Sequence, residues 1–71
     1  MPDAAPLTNR IKVLRAERNW TQAELAARVG VTRKTINTVE RAIYVPSTIL
    51  ALRIARAFDV PVEQVFWLED E

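Results

Sequence analysis

The chain has 71 residues, enough for one domain and too few for a second of ordinary size, which excludes a two-domain enzyme. It contains no cysteine, no histidine and a single glycine, so disulfides, thiolate or imidazole metal sites and the commonest general base are excluded. The formal net charge is +1 and hydrophobic residues make up 49% of the chain, which excludes a disordered polyelectrolyte and favours a folded helical domain.

The first predicted element is a helix that follows a proline-containing arm, and this arm is expected to be flexible over residues 1–7. Thr8 is a candidate N-cap for the helix. Ile11 and Leu14 lie three residues apart and predict its buried face, and Asn19 marks its end. We therefore expect the folded domain to begin at Thr8.

The second and third predicted helices are joined by a short turn that contains the chain's single glycine, Gly30. Thr21 and Glu24 have the spacing of a capping box, in which each side chain accepts a hydrogen bond from a backbone N–H of the other residue. Thr32 is the expected N-cap of the third helix, which should run to about Arg41. The apolar residues spaced to face a core are Leu25, Ala26, Val29, Ile36 and Val39.

Two further helices are predicted near the C-terminus. Ser47 follows Pro46 and is the expected N-cap of the fourth helix, and a brief fifth helix follows Pro61. The pattern predicts an all-α, compact five-helix domain over residues 8–68 and an acidic end over residues 69–71. The expected core residues of the last two helices are Leu52, Ile54, Ala55, Phe58, Val62, Val65 and Phe66.

Charge is distributed unevenly along the chain. Residues 10–41 carry eight basic and three acidic side chains, which sum to +5, whereas residues 59–71 carry five acidic and no basic side chains. The basic segment can lie against phosphate, and the acidic end would be repelled by it. A solvated surface without a binding role explains the same charges, so both interpretations stay open.

Two short helices joined by a glycine-containing turn form the plan of a helix-turn-helix, whose second helix enters the DNA major groove. Residues 22–26, 30–32, 35–36 and 39–40 resemble the phage-repressor or lambda-Cro-like (XRE-type) helix-turn-helix family, and the resemblance extends over residues 10–66. It implies a lambda-repressor-like domain and a bacterial or phage DNA-binding regulator without catalytic residues, metal or cofactor. The short chain is most similar to stand-alone dimeric repressors of this family.

The third helix is expected to present its first residues, and the face opposite Ile36, to the groove. Arg33 can bind guanine O6 and N7 with two hydrogen bonds, Lys34 can do so less rigidly, and Thr38 can contact a thymine methyl. These three positions also match the base-contacting positions of the family, and Asn37 is a fourth candidate. The candidate phosphate contacts are Gln22, Thr21, Thr32, Thr35, Arg41 and Tyr44, of which Thr21 and Thr32 are sufficiently explained as helix caps.

The resemblance also implies an ion pair between Arg15 of the first helix and Glu40 of the third, so we assign Arg15 a structural role. Two residues after this glutamate the family usually has a glycine with positive φ, whereas this chain has Ala42. An alanine in the left-handed region costs about 1 kcal/mol or more, so either the strain is accepted or the loop takes another path. Ile43 and Tyr44 stand where polar loop residues would be ordinary.

A single domain of this size buries too little surface for tight specificity, so we expect a homodimer that reads two half-sites about 34 Å apart on a double-stranded operator. Phe66, Trp67 and Leu68 are the candidate dimer interface because a short chain has little interior in which to bury them. The alternative is that they pack over the first helix of the same chain. An extended conformation of residues 65–69 would add a small antiparallel sheet to the dimer.

The leading hypothesis is a cytoplasmic, nucleoid-associated repressor that occludes a promoter. The main alternative is an antitoxin-type interaction module that holds a toxin and binds DNA secondarily, although the chain has no long extra segment for wrapping a partner. A restriction–modification controller protein would share the first mechanism. An enzyme is disfavoured for want of a nucleophile–base pair, a metal cluster or a phosphate loop. A membrane partner is not expected, because no apolar run reaches about 18 residues.

Overall fold

Four α-helices and a two-stranded antiparallel sheet make up residues 7–69, which are the part of the chain that the computed structural model describes. In chain order the elements are β1 (Leu7–Asn9), α1 (Ile11–Arg18), α2 (Gln22–Val29), α3 (Arg33–Glu40), α4 (Thr48–Phe58), a 3-10 turn (Val62–Gln64) and β2 (Phe66–Leu68). The four longer predicted helices are confirmed. The all-α, five-helix prediction is wrong, because a 3-10 turn and a strand replace the fifth helix.

The helix boundaries follow from local capping. The side chain of Thr21 accepts a hydrogen bond from the Glu24 backbone N–H at 3.0 Å, and the Glu24 carboxylate accepts one from the Thr21 N–H at 2.7 Å, so the capping box is confirmed. Thr32 and Ser47 cap α3 and α4 in the same way. Gly30 ends α2 with a φ of 79°, the left-handed conformation expected of it.

The N-terminal boundary differs from the prediction. Thr8 lies in β1 and does not cap α1; its hydroxyl donates a hydrogen bond to the Glu69 carboxylate instead. Asn9 provides the side-chain contact at the start of α1, because its Oδ1 accepts a hydrogen bond from the Ile11 N–H at 3.1 Å. Leu7 is the first residue of β1 and not part of the arm, which corrects the predicted boundary. Residues 1–6 and the last two residues of the acidic end lie outside the described range.

The two strands pair antiparallel within one chain, with Leu7 opposite Leu68, Thr8 opposite Trp67 and Asn9 opposite Phe66. The β-branched and aromatic residues after Pro61 favour extended backbone. An additional bond from the Arg10 N–H to the Val65 carbonyl, 3.0 Å long, continues the sheet. The extended conformation considered for residues 65–69 is therefore present at Phe66–Leu68, but its partner strand belongs to the same chain.

One hydrophobic core joins all the helices and the last strand. Its fully buried side chains include Ile11, Leu25, Ile36, Ile54 and Phe58, one or more from each helix, together with Val65 after the 3-10 turn. In α4, Leu50 is buried and Leu52 is 51% exposed, so the prediction that Leu52 lies in the core is wrong. No helix within residues 7–69 is long and apolar enough to cross a membrane.

Candidate nucleic-acid interface

The α2–turn–α3 unit is fixed by its buried face. Only residues 30–32 separate the two helices, and the buried residues Leu25 and Val29 of α2 share one core with Ile36 and Val39 of α3. Burial of Ile36 and Val39 directs the opposite side of α3 to solvent, because these residues are one helical turn apart. An α-helix with its side chains is about 10–12 Å across, which fits the DNA major groove, about 12 Å wide.

The predicted base readers lie at different depths on this outer side of α3. Arg33 and Lys34 are exposed at the first turn, and no carboxylate of residues 7–69 lies within ion-pair distance of either. Thr38 is half-buried, and its hydroxyl hydrogen bonds to the carbonyls of Lys34 and Thr35 at 3.1 and 3.0 Å. The hydroxyl proton of Thr38 is therefore used within the helix, which leaves apolar contact as its main contribution toward a base.

A shallow open depression of about 350 Å³ lies beside this face of α3. It is bounded by the helix residues Lys34, Thr35 and Thr38 and by Ile43 and Tyr44 of the following loop. Tyr44, a predicted phosphate contact, is 47% exposed at its rim. The structure thus brings the loop and the outer side of α3 together in one surface.

Gln22 and Asn37 contact each other. The Gln22 amide Nε2 donates to the Asn37 Oδ1 at 3.3 Å and to the Glu40 Oε1 at 3.1 Å, which uses both of its N–H groups. Asn37 is half-buried and is turned toward α2 by this bond. In this arrangement the side chains of Gln22 and Asn37 join α2 to α3, whereas the free donors at the start of α2 are backbone N–H groups.

Arg15 and Glu40 form the ion pair that the resemblance implies. The guanidinium donates to both carboxylate oxygens, at 2.5 and 3.1 Å, and a third bond runs to the Trp20 carbonyl at 2.9 Å. The side chains are 14% and 7% exposed. The pair holds α1 against the last turn of α3, and Asn9 adds bonds to the Val39 and Glu40 carbonyls at 3.1 and 3.3 Å.

The loop after α3 keeps the path that a glycine would take. Ala42 has a φ of 60°, and the N–H groups of Ile43 and Tyr44 both donate to the Thr38 carbonyl. Of the two paths left open by the sequence, the chain accepts the strained one. Arg41, another predicted phosphate contact, is the exposed C-cap of α3, immediately before this turn.

The remaining predicted phosphate contacts lie at the helix starts. Thr21 and Thr32 are exposed, and their hydroxyls act as caps. Thr35 is half-buried, with its hydroxyl 3.0 Å from that of Thr32. These positions place hydroxyl groups beside the N-termini of both α2 and α3, where a helix attracts anions.

Two features of the surface escaped the sequence analysis. Trp20 stacks on Phe58 with ring centroids 5.5 Å apart, and the Arg28 guanidinium lies 4.0 Å from the Trp20 ring centroid. Arg28 also lines an open groove of about 480 Å³ with Arg53 and Arg56, between the end of α2 and α4. The tryptophan was detectable only as an apolar residue just before a cap, and the groove depends on tertiary packing.

A helix-turn-helix family model matches residues 11–65, which include all four helices. The chain belongs to the XRE-type helix-turn-helix family. Family membership makes the α2–α3 pair a DNA-binding unit and the chain a DNA-binding regulator.

Relatives with this plan are of similar length. The uncharacterized HTH-type transcriptional regulator YgzD of Bacillus subtilis is 48% identical over 65 residues, covering 92% of this chain and 98% of the relative. The crystal structure of C.AhdI, a restriction-modification controller protein from Aeromonas hydrophila, has a TM-score of 0.72 at 28% identity, covering 76% of this chain and 82% of that one. The crystal structure of a protein from Bacteroides fragilis has a TM-score of 0.76 at 30% identity, covering 86% of this chain and 98% of that one.

The residues predicted as a dimer interface do not form one exposed surface. Phe66 is 8% exposed and belongs to the core of its own chain. Trp67 and Leu68 remain 39% and 41% exposed. The helix-turn-helix core was therefore predictable in detail, whereas the pairing of the C-terminal strand with β1 of the same chain was not.

Proposed function

We propose that this chain is a sequence-specific repressor that binds a palindromic operator as a homodimer, with α3 of each copy in the major groove. The observation that carries the proposal is the outer side of α3, where two exposed basic residues, Arg33 and Lys34, precede a run without acidic side chains up to Glu40. Glu40 itself is neutralised by Arg15. The reading side of α3 therefore presents positive charge and hydrogen-bond donors to base edges.

Base recognition is assigned to three residues of α3. Arg33 provides the planar pair of donors that fits guanine O6 and N7, and Lys34 adds a second donor one residue along. The Thr38 methyl and the adjacent side chain of Ile43 provide apolar surface for a thymine methyl. Asn37, which is bonded to Gln22, positions α3 against α2 in this proposal.

Phosphate binding is assigned to groups that flank α3 on both sides. The backbone N–H groups at the start of α2 and the hydroxyls of Thr21, Thr32 and Thr35 would contact one strand. Arg41 and Tyr44, at the far end of α3, would contact phosphates across the groove. These contacts would fix the register of α3 without selecting a sequence.

Repression follows from occupancy. Two copies that read half-sites about one helical turn apart would cover a length of duplex that a polymerase needs at a promoter. The likeness to a restriction-modification controller protein supports a regulatory role for this chain.

The decisive experiment selects binding sites from random duplexes with the purified protein, at about 0.15 M salt so that non-specific phosphate binding is weak. We expect enrichment of a palindrome whose half-sites are centred about 10 base pairs apart. Enrichment of single, unpaired half-sites would contradict the dimeric part of the proposal. No enrichment at all would contradict sequence-specific binding.

A matched pair of variants tests the assignment of readers. Arg33→Ala and Arg41→Ala each remove one exposed guanidinium and change the net charge equally. Arg33→Ala should lose about 1 to 3 kcal/mol of binding free energy at one base pair of each half-site and relax the base preference there. Arg41→Ala should weaken binding to all sequences by the same factor. Affinities for the selected operator and its single-base variants, measured by fluorescence anisotropy, distinguish the two. An unchanged base preference for Arg33→Ala would remove this residue from the readers.

A further inference from the structure

Three arginines from two helices line the open groove between the end of α2 and α4. Arg28 belongs to α2, and Arg53 and Arg56 lie about one helical turn apart on α4. The groove has a volume of about 480 Å³, and its other lining residues carry no charge: Ala27, Val29, Gly30 and Ala57. We refer to this surface, lined by the three arginines, as the arginine groove.

The guanidinium groups of the arginine groove have no counter-ion within the described part of the chain. No carboxylate of residues 7–69 lies within ion-pair distance of any of the three. Glu24, one turn before Arg28 on α2, has its carboxylate bonded to the Thr21 N–H at 2.7 Å. Like charges one turn apart on a helix, such as Arg53 and Arg56, destabilise that helix. An external anion would therefore relieve a repulsion that the fold leaves in place.

The ends of the two helices do not cancel this charge. Arg28 and Arg56 lie in the last turns of α2 and α4, where a cation is favourable because a helix C-terminus carries about half a negative charge. Arg53 crosses from α4 to the end of α2, since its Nη1 would lie 3.9 Å from a Cβ at Gly30. Two helix ends offset about one of the three positive charges, so the groove keeps a net charge of about +2.

The tryptophan before α2 holds one of these guanidinium groups in place. Arg28 lies 4.0 Å from the Trp20 ring centroid, and Trp20 is itself stacked on the buried Phe58. A partner that binds a freely moving arginine must first order its side chain, at a cost in conformational entropy. Stacking on Trp20 reduces that cost for Arg28. The arginine groove therefore contains one hydrogen-bond donor that is already positioned.

The exposed side of α4 combines the arginines with apolar residues. Ile49 lies four residues before Arg53, and Leu52 lies four residues before Arg56, so each apolar side chain neighbours an arginine on the helix surface. Ile49 and Leu52 are 65% and 51% exposed. Protein–protein interfaces combine apolar side chains with arginine, whereas a phosphate compound needs the positive charge alone. The combination favours a protein partner.

We infer that the arginine groove binds an acidic segment of a different protein. Aspartate or glutamate carboxylates of this segment would accept paired hydrogen bonds from the guanidinium groups, and its apolar side chains would cover Ile49 and Leu52. Charge complementarity selects an acidic partner and rejects a basic one. Such binding requires no operator, and it goes beyond the proposed repressor function.

The arginine groove and the surface proposed for DNA are separate. The depression beside α3 is bounded by residues of α3 and of the following loop, none of which lines the groove. The groove lies at the C-terminal end of α2, whereas the backbone donors assigned to phosphate lie at the N-terminal end of that helix. A partner in the groove would leave the outer side of α3 free, so one copy of the chain would hold the partner and DNA at once.

The test begins with a peptide selection, without DNA, at about 0.15 M salt, where isolated surface charges are screened. The immobilised full chain selects from a library of random peptides that lack tryptophan. We expect enrichment of peptides that combine aspartate or glutamate with apolar residues. No enrichment of acidic peptides would overturn the inference. Because DNA is absent, a chain that selects such peptides but no operator would refute the proposed function and leave the arginine groove as a binding site.

Two charge-matched double variants locate the binding site of the selected peptide. Arg53→Ala/Arg56→Ala removes two charges from the arginine groove. Arg10→Ala/Lys12→Ala is the control, because it removes two exposed charges near the start of α1. Fluorescence anisotropy of the labelled peptide should give a dissociation constant about 30-fold higher or more for the groove variant, and one within about twofold of the wild type for the control. Equal losses would mean that the peptide responds only to net charge, and would refute the arginine groove.

Three further measurements distinguish a protein segment from other occupants. Ile49→Gln keeps all three arginines and should weaken peptide binding about fivefold or more. No effect of Ile49→Gln, together with displacement of the peptide by inorganic triphosphate, would assign the groove to a phosphate compound. Displacement by a DNA duplex of mixed sequence would assign it to DNA. Self-association in sedimentation that Arg53→Ala/Arg56→Ala abolishes would assign it to a second copy. Each of these three results would overturn the inference.

A spectroscopic measurement leaves the groove unchanged and covers the case in which the arginine variants fail to fold. The chain has two tryptophans, so Trp67→Phe leaves Trp20 as the single emitter. A peptide carboxylate that binds Arg28 contacts the cation stacked on Trp20, and saturation with the selected peptide should therefore shift or quench the Trp20 emission. Unchanged emission at saturation would place the peptide elsewhere on the protein and refute the arginine groove.

Discussion

The end of the recognition helix depends on a single residue in an unfavourable conformation. Ala42 has a φ of 60°, where its Cβ crowds the backbone. The surrounding bonds fix it there, because the Ala42 N–H donates to the Val39 carbonyl and the next two N–H groups donate to that of Thr38. The chain thus keeps Tyr44 beside α3 at the expense of local strain.

Ala42→Gly should therefore stabilise the folded protein by about 0.5 to 1 kcal/mol, after allowing for the greater entropy of glycine in the unfolded chain. Ala27→Gly is the opposite control, since Ala27 is exposed inside α2 and glycine there should destabilise by about 1 kcal/mol. Urea unfolding of the wild type and the two variants, at one protein concentration, measures both changes in unfolding free energy. Destabilisation by Ala42→Gly would show that the strain is not relieved by removing the Cβ.

Other single residues were beyond sequence reasoning for a physical reason. Asn9 holds the carbonyl groups of Val39 and Glu40, some thirty positions away, and no local spacing reveals a bond of that kind. Caps such as Thr32, by contrast, bond within three residues and were predictable. The distance along the chain between partners decided which polar contacts could be foreseen.

At the level of elements, the same distinction explains the boundaries. Helices α2, α3 and α4 carry their own start signals, whereas α1 starts where the chain leaves a strand paired with residues near the other end. Thr8 is a residue type that is typical of helix caps, but it lies in β1 opposite Trp67. The prediction of a fifth helix is wrong for the same reason, because β2 forms its hydrogen bonds with β1 and not within a local turn.

A pair of threonine substitutions separates these two roles. Thr21→Ala should cost about 1 kcal/mol of unfolding free energy, because it removes the side-chain half of the capping box. Thr8→Ala should cost only a few tenths, since the Thr8 bond to Glu69 is exposed. Thermal and urea unfolding of both variants give the comparison. Equal losses of unfolding free energy in the two variants would indicate that Thr8 stabilises the protein as a helix cap does.

Across the whole molecule, one part-buried polar network sets the relative positions of three helices. Arg15 of α1 binds Glu40 of α3 through two nitrogens, and Gln22 of α2 donates to the same carboxylate. Since the two charged side chains are almost enclosed, the protein cannot replace one partner with water at little cost. The network therefore couples stability to the orientation of α3.

A double-mutant cycle tests this coupling. Glu40→Gln keeps the shape of the side chain and leaves the Arg15 charge almost enclosed without a counter-ion, which should lower the unfolding free energy by about 3 kcal/mol. Arg15→Met should lower it comparably, because the Glu40 carboxylate would then keep only the Gln22 donor among the side chains now bound to it. The double variant removes both charges and should lose clearly less than the sum of the single losses. Urea unfolding of the four proteins at equal concentration gives the coupling energy. Additive losses would mean that Arg15 and Glu40 act as independent surface charges, and the orientation of α3 would then have to be attributed to the apolar core around Ile36 alone.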